Sequence, residues 1–125
     1  MRIGEKYEIL KENLSKLKVI KMAMNGLDII MTIDLLQTLN LPKLKALDLG
    51  ENWFGYTGLI KLGPSFSKLK NLTELSLNSN KLFKDKVNID LVCEIFEKLK
   101  KVEKLELQEN SIGQAEFKKL LVVFC

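Results

Sequence analysis

Ten polar side chains lie between regularly spaced leucines, and they are the residues of this sequence best placed to do chemistry. Carboxylates outnumber lysines among them by five to two. Exposed carboxylates form ion pairs and hydrogen bonds, and they attract the basic groups of a partner. The predicted chemistry is therefore noncovalent recognition of another protein. The ten residues are Lys21, Asp48, Glu51, Glu74, Ser76, Asn78, Lys104, Glu106, Gln108 and Glu109.

Catalytic signatures are missing from the sequence. It has no histidine, the commonest general base and metal ligand, and no Cys-x-x-Cys, Gly-x-Ser-x-Gly or glycine-rich phosphate loop. Carboxylate pairs such as Asp48 with Glu51 would lie on an open surface, where nothing desolvates them to shift a pKa. We therefore expect no catalytic residue, no metal site and no cofactor.

The positive charge of the chain comes almost entirely from lysine. The net charge is +4 at pH 7, and Arg2 is the single arginine. Nucleic-acid sites draw on arginine for bidentate contacts and on clustered aromatic residues for stacking. Neither is concentrated here, so the composition argues against a nucleic-acid partner and favours a solvated, lysine-rich surface.

Nothing in the sequence predicts export or insertion into a membrane. The first residues, MRIGEKYEIL, carry glutamates where a signal peptide has its apolar segment. No apolar run approaches the roughly 18–20 residues of a membrane span. Cys93 and Cys125 form no disulfide framework and are predicted to be free, buried thiols, as is usual in a reducing compartment. We therefore expect a cytoplasmic protein.

The leucines that separate the polar residues follow one spacing rule. In the stretch LTELSLNSNKL, Leu72, Leu75 and Leu77 are followed by Asn80 and Leu82. This is the leucine-rich repeat template, L-x-x-L-x-L-x-x-N-x-L. Leucines at alternate positions of a short strand point into the interior. The asparagine amide can bond main-chain groups that have left the sheet.

Four copies of the template begin near residues 17, 44, 72 and 102. Aligning the copies places equivalent polar residues in rows that cross the predicted strands, and one such row is Lys21, Asp48, Ser76 and Glu106. Each copy also contributes one asparagine, which is predicted to build the repeat rather than to choose a partner. This structural ladder consists of Asn25, Asn52, Asn80 and Asn110.

Apolar residues between the copies recur four positions apart, which is the spacing of one helical face. After the second copy this face includes Leu62 and Phe66, but Gly63-Pro64 should break the helix between them. We expect a short helix from about Thr57 to Leu62, followed by a turn.

Two further segments depart from the regular pattern. The third copy needs a two-residue insertion within residues 84–87, which predicts a helix that begins near Asn88 as its N-cap. Residues 2–16 have an amphipathic helical pattern with no strand before them. Such a helix is expected at the end of a stack of repeats, where it covers the first unit.

From residue 17 to residue 125, the chain resembles the ribonuclease-inhibitor-like class of leucine-rich repeat proteins, whose units are a strand and a helix. The resemblance implies an α/β fold, a right-handed solenoid with parallel strands on the concave side and helices on the convex side. It would contain about four repeats and an N-terminal helical cap. Residues 1–125 are accordingly expected to form a single leucine-rich repeat domain.

The exposed strand positions of such a solenoid are free of packing duties. Together with the polar residues above, this predicts a module that binds a partner protein through the concave strand face. The alternative that the sequence leaves open is a structural or regulatory fragment of a larger leucine-rich repeat receptor or regulator.

Trp53 is the only tryptophan, and it follows Asn52 in the loop that leaves the second strand. Because Phe54 takes the core position, Trp53 should point elsewhere, near Tyr56. An exposed tryptophan beside a tyrosine is typical of an interface hot spot. Packing of Trp53 against the loop of a neighbouring repeat is the alternative interpretation.

The last helix, QAEFKKLLVVFC, has no polar terminal repeat after it in this sequence. A terminal repeat with an unshielded side exposes its core to water or to a neighbour. We therefore expect that the C-terminal edge is either continued by further chain, docked on another molecule, or paired with a second copy.

Overall fold

The sheet is built from four short parallel strands. The computed structural model describes residues 16, 18–22, 29–38 and 42–124. Within these residues the strands are β1 (Val19–Lys21), β2 (Ala46–Asp48), β3 (Glu74–Ser76) and β4 (Lys104–Glu106), paired in that order. Parallel neighbours need a crossover connection, and each crossover here contains a helix. The result is an α/β repeat fold.

The helices alternate with the strands along the chain. They are α1 (Ile29–Thr38), α2 (Gly55–Leu62), α3 (Ile89–Glu97) and α4 (Gln114–Phe124). Each helix packs on the next, α1 on α2, α2 on α3 and α3 on α4. Buried side chains from the helices and the strands belong to one core, so the helices cover one face of the sheet.

Leucines at the template positions fill the space between the sheet and the helices. Leu47, Leu49, Leu75 and Leu77 are at most 1% exposed. Burial of one such side chain contributes about 1.5–3 kcal/mol, so the repeated leucines account for much of the stability of the fold. Glu74, next to Leu75 in the strand, is exposed, because neighbouring strand residues point to opposite faces.

The strand register confirms the rows that the sequence alignment predicts. Ile20 pairs with Leu47, which pairs with Leu75, which in turn pairs with Leu105. Two further rows flank these central residues on the open face. One row runs through Val19, Ala46, Glu74 and Lys104, and the other through Lys21, Asp48, Ser76 and Glu106.

Helix α2 ends at Leu62, as the Gly63-Pro64 pair predicts, but the segment after it is not a simple turn. Gly63–Lys68 form a 3-10 helix with the proline in its first turn, where its missing N–H needs no partner. Phe66, in this segment, is fully buried. The apolar face therefore continues past the proline, because burial of the phenylalanine favours a helical path.

Helix α3 begins where the sequence predicts. The side-chain oxygen of Asn88 accepts hydrogen bonds from the main-chain N–H groups of Asp90, at 3.1 Å, and Leu91, at 3.4 Å. These bonds satisfy two donors that a helix start leaves unpaired. Val92 and Phe96, on the predicted inner face, are at most 1% exposed.

Several predicted features lie outside the described residues. They include the cap helix of residues 2–16, apart from Lys16, and also Leu17, Asn25 and Cys125. Within residues 18–22, 29–38 and 42–124, no helix is both long enough and apolar enough to cross a membrane.

Candidate functional site

The face of the sheet opposite the helices carries most of the predicted binding residues. Because neighbouring strands lie about 4.8 Å apart, the polar rows bring side chains from all four units side by side. Eight of the ten predicted residues line one hollow of about 320 Å³ over this face. The eight are Lys21, Asp48, Glu51, Glu74, Ser76, Asn78, Lys104 and Glu106.

Glu106 is held in place by two neighbours. Its Oε2 accepts a hydrogen bond of 2.9 Å from Nδ2 of Asn78, and its Oε1 lies 3.2 Å from Nζ of Lys104. The hydrogen bond from Asn78, and then that from Lys104, lower the pKa of the Glu106 carboxyl. This carboxylate is therefore ionised and oriented, but part of its hydrogen-bonding capacity is already used.

Other carboxylates of the same face are more available to a partner. Glu74 and Glu51 are exposed, and no described residue makes an ion pair or hydrogen bond with either side chain. Oδ1 of Asp48 accepts a hydrogen bond of 2.9 Å from the main-chain N–H of Gly50, which leaves its second oxygen at the surface. The second and third units therefore carry the carboxylates that are most available to a partner.

The remaining two predicted residues, Gln108 and Glu109, are exposed but do not line the hollow. Both are connected to the third unit. The main-chain N–H of Gln108 donates to Oδ1 of Asn78 at 2.9 Å, and Oε2 of Glu109 accepts from Oγ of Ser79 at 3.1 Å. Their place is the margin of the face, beside the loops that leave the strands.

The described asparagines of the ladder are buried and bond main-chain groups of neighbouring units. Nδ2 of Asn80 donates to the carbonyl oxygen of Leu49 at 2.9 Å, and Oδ1 of Asn80 accepts from the main-chain N–H of Asn52 at 2.9 Å. Asn110 repeats this arrangement one unit later, with Leu77 and Asn80 as its partners. The amides thus replace the sheet hydrogen bonds that end with each strand.

The loops that contain these asparagines share an unusual backbone. The residues on both sides of each described ladder asparagine have φ between 56° and 60°, the left-handed region that non-glycine residues seldom adopt. The side chains that flank the asparagines are therefore held in equivalent positions from unit to unit. These residues are Glu51, Trp53, Ser79, Lys81, Glu109 and Ser111.

Trp53 is 73% exposed, and Nζ of Lys81 lies 5.1 Å from the centre of its ring. Lys81 is the equivalent residue of the next unit. Trp53 therefore combines the contact with a neighbouring loop that one interpretation predicts with the exposure that the other predicts. The indole contacts the neighbouring loop through a cation–π interaction, and it still presents most of its surface. Tyr56, the other half of the predicted hot spot, is partly buried and packs against the core, so it offers less to a partner.

A lysine-rich edge borders the sheet at the end where the strands begin, and it is not among the predicted binding residues. Parallel strands all start at one edge of a sheet, so the segments that precede the strands bring their lysines towards that edge. Nine lysines that precede a strand by one to six residues are all exposed. This recurrent placement is the signal that could have revealed them. They are Lys16, Lys18, Lys43, Lys45, Lys68, Lys70, Lys98, Lys100 and Lys101.

Comparisons with known proteins bear on the family of this chain. A family model described as Leucine Rich repeat matches residues 40–63, which include β2 and α2. No curated protein matches the sequence. Among solved structures, one titled Leiomodin-1 Actin-Binding Site 2 (ABS2) is similar with a TM-score of 0.67 and 12% sequence identity. That match covers 98% of this chain and 73% of the other, and at such low identity it shows the fold alone.

The matched family model lies on the second of four units that share one template. The described parts of all four units form one parallel sheet with a helix after each strand, and the similar solved structure has the same fold over nearly the whole chain. Together these findings support a leucine-rich repeat protein.

Proposed function

We propose that this protein is a non-catalytic module that binds a partner protein through the open face of the sheet. The observation that carries the proposal is the group of available carboxylates, Asp48, Glu51 and Glu74, around the 320 Å³ hollow. We call these three residues the carboxylate face. An open sheet surface that carries exposed acceptors suits recognition of a partner, because such groups can pair directly with the basic groups of another protein.

The partner would present lysine or arginine side chains to the carboxylate face. Ion pairs between exposed groups contribute only about 0.2–1 kcal/mol each, so charge would mainly speed encounter and set the register of binding. Apolar contact would add affinity. Val19, 51% exposed in the same sheet, and Trp53 at the margin are the side chains available for it, since buried aromatic anchors dominate most interfaces.

The proposal includes the finer architecture that the sequence predicts. The sheet would be the concave side of a right-handed solenoid of the ribonuclease-inhibitor-like class, with residues 2–16 as its cap. A partner inserted into the concave side would contact several strands at once. The hollow over all four strands supports this geometry, and the lysine-rich edge beside it would disfavour basic partners that approach from the wrong side.

Actin is the first partner to test, because the similar solved structure is titled as an actin-binding site. The proposal also places the protein inside the cell. Cys93 is a free, partly buried thiol, which is typical of a reducing compartment. A partner such as actin would be present in that compartment.

The experiment uses a double charge reversal on the carboxylate face, Glu51→Lys with Glu74→Lys. The matched control is Glu94→Lys with Glu97→Lys, which reverses two exposed glutamates of α3 and changes the net charge equally. The wild-type protein and both variants are immobilised and exposed to purified actin and, separately, to a cell extract. Retained proteins are quantified by mass spectrometry after circular dichroism has confirmed that all three chains are folded.

We expect at least one protein to bind the wild type and the control equally and to be lost by the face variant about tenfold or more, as removal of complementary charge predicts. If actin is that protein, the partner is identified as well. If the face variant and the control retain the same proteins in the same amounts, binding through the carboxylate face is wrong.

A further inference from the structure

Strand β4 is an open edge of the sheet. Among the described residues, no strand pairs with β4 on the side away from β3. Leu105 and Leu107 are only partly buried, whereas Leu75 and Leu77, at the same template positions, are 1% exposed. An exposed sheet edge with apolar residues behind it is a ready template for another strand.

The main-chain hydrogen-bonding groups of β4 show which residue faces the open side. The N–H of Lys104 donates to the carbonyl oxygen of Thr73 at 3.1 Å, and the carbonyl oxygen of Glu106 accepts from the N–H of Leu77 at 2.9 Å. Both residues therefore direct their main chain towards β3. Alternate residues of a strand point their N–H and C=O to opposite sides, so those of Leu105 point to the open edge.

An apolar groove continues the open edge on the helical side of the sheet. It has a volume of about 610 Å³ and lies between β4 and α4. Its lining includes Leu105 and Leu107 from the strand side and Phe117 and Leu121 from the helix. Phe117 is 49% exposed and Leu121 is 45% exposed, so apolar side chains of both the strand and the helix are accessible at this end of the described sheet.

We propose that two copies of this chain associate through this edge, with β4 running antiparallel to the β4 of the partner and Leu105 opposite the partner's Leu105. A two-fold axis at Leu105 makes each surface its own complement. The two Leu105 residues would exchange a pair of main-chain hydrogen bonds, as directly opposed residues do in a hydrogen-bonded antiparallel pair. The proposal does not rest on the proposed function.

Charge explains why a second copy fits this edge. In an antiparallel pair centred on Leu105, Lys104 lies opposite the partner's Glu106, and Glu106 lies opposite the partner's Lys104. Opposite charges at directly facing strand positions stabilise a pair, and like charges destabilise it. The same two-fold axis brings the two α4 helices together behind the sheet, where Phe117 and Leu121 of each copy can fill the groove of the other.

The test is a charge exchange across the two-fold axis, read out by sedimentation equilibrium over a wide range of protein concentration. The wild type is expected to dimerise. In a K104E dimer, the new carboxylate of each chain faces the partner's Glu106. In an E106K dimer, the new amine of each chain faces the partner's Lys104. Each homodimer therefore contains two pairs of like charges. Each variant is expected to raise the dimer dissociation constant about tenfold or more.

Mixing the two single variants gives the decisive result. A K104E chain facing an E106K chain has opposite charges at both facing positions, so the mixture is expected to form a heterodimer at concentrations where each variant alone is monomeric. The double variant K104E/E106K is expected to dimerise like the wild type. Lys61→Glu, an exposed charge reversal on α2 and away from β4 and α4, serves as the control and should not change the dimer.

Three outcomes would overturn the proposal. One is a wild type that remains monomeric at every concentration, and another is a dimer that the two single variants form as well as the wild type does. The third is a pair of monomeric single variants that remain monomeric after mixing, since this would show that the two charges act on something other than the partner strand. Circular dichroism of each variant separates loss of association from loss of fold.

Discussion

The third and fourth units of this protein carry the same template and have different surroundings. Leu75 and Leu77 of the third unit are 1% exposed, whereas Leu105 and Leu107 of the fourth unit are only partly buried. The third unit has a described neighbour on each side, and the fourth has one on one side only. The burial of a template leucine is thus decided by the neighbouring units and not by the template itself, as expected for a repeat protein.

The polar ladder shows the same difference. Asn80 bonds the second unit through its side chain and the fourth unit through its main-chain N–H, which donates to Oδ1 of Asn110 at 2.8 Å. Asn110 bonds back to the third unit, where its Nδ2 meets the carbonyl oxygen of Leu77 at 2.8 Å. A central unit therefore exchanges hydrogen bonds in two directions, and the last described unit mainly in one.

The largest expected effect compares the two central leucines of these strands. Leu75→Ala should lower the free energy of unfolding by about 3 kcal/mol or more, because it opens a cavity in a closed core. Leu105→Ala should cost about half as much, since water and side chains can collapse into a partly open site. Urea denaturation of the two variants at a concentration where the wild type is monomeric would measure both. Equal losses would contradict the contrast between the units.

A smaller effect should be similar in both units, because it comes mainly from the local backbone. At Lys81, loss of the cation–π contact with Trp53 adds to it. Lys81 and Ser111 follow the asparagines of the third and fourth units, with φ of 58° and 60°. A β-branched residue is poorly tolerated there, so Lys81→Val and Ser111→Val should each lower the free energy of unfolding by about 1–2 kcal/mol. Lys86→Val, in an exposed loop without positive φ, is the control for loss of a lysine.

Thermal and urea unfolding of these three variants would show whether backbone strain is independent of neighbours. A lower free energy of unfolding in Lys81→Val but not in Ser111→Val would mean that the loop of the fourth unit relaxes. The two units would then differ in backbone strain as well as in burial. If Lys86→Val lowered the free energy of unfolding as much as Lys81→Val does, positive φ would not be the cause of the destabilisation.

The smallest effect concerns a contact between the two units. The side chain of Asn78, in the third unit, lowers the pKa of Glu106, in the fourth. A carboxyl whose pKa is lower in the folded state stabilises the fold above its unfolded pKa, and this contribution is lost as the pH falls through the folded value. Asn78→Ala should therefore raise the pKa of Glu106 towards the ordinary glutamate value and weaken the loss of stability on acidification.

A pH titration of the Glu106 side-chain carbon by NMR would measure this shift in the wild type and in Asn78→Ala. Lys104, the second cause of the lowered pKa, stays in place, so the shift should be partial. An unchanged pKa in the variant would show that the two units are not coupled through this hydrogen bond.

Much of the fold could be predicted from spacing alone. The order and register of the strands follow from aligning the four copies, because side chains of a strand alternate between two faces and a shift of one residue would expose every leucine. The start of α3 at Asn88 was also predictable, since an asparagine side chain supplies the acceptor that a helix start needs. These are local properties of residues in a known order.

Other features could not be predicted because they depend on residues far apart in the chain. The 3-10 helix after α2 follows from packing around Phe66, which outweighs the tendency of Gly63-Pro64 to end helical structure. Gly63 is also a point of close approach, since a Cβ there would lie 2.7 Å from Cγ1 of Ile95. Nothing near Gly63 in the sequence identifies Ile95 as its neighbour.

The candidate site divides in the same way. Spacing predicted that ten polar residues share the open face and treated them as equivalent, whereas eight line the hollow and Gln108 and Glu109 lie at its margin. The structure separates Glu106, whose carboxylate is held by Asn78 and Lys104, from Glu74, whose carboxylate no described residue bonds. That distinction depends on side-chain distances between units about thirty residues apart in the sequence, such as the 28 that separate Asn78 from Glu106.

The regular spacing of apolar residues predicted the repeat, four copies of its template and the direction in which each strand side chain points. A periodic pattern of apolar residues can do so, because burial of leucines on one face allows only one register. The tertiary structure alone decided which carboxylates remain available, where the lysines gather and which strand edge stays open. Those properties depend on what lies beside each unit, and a template that repeats identically carries no information about its neighbours.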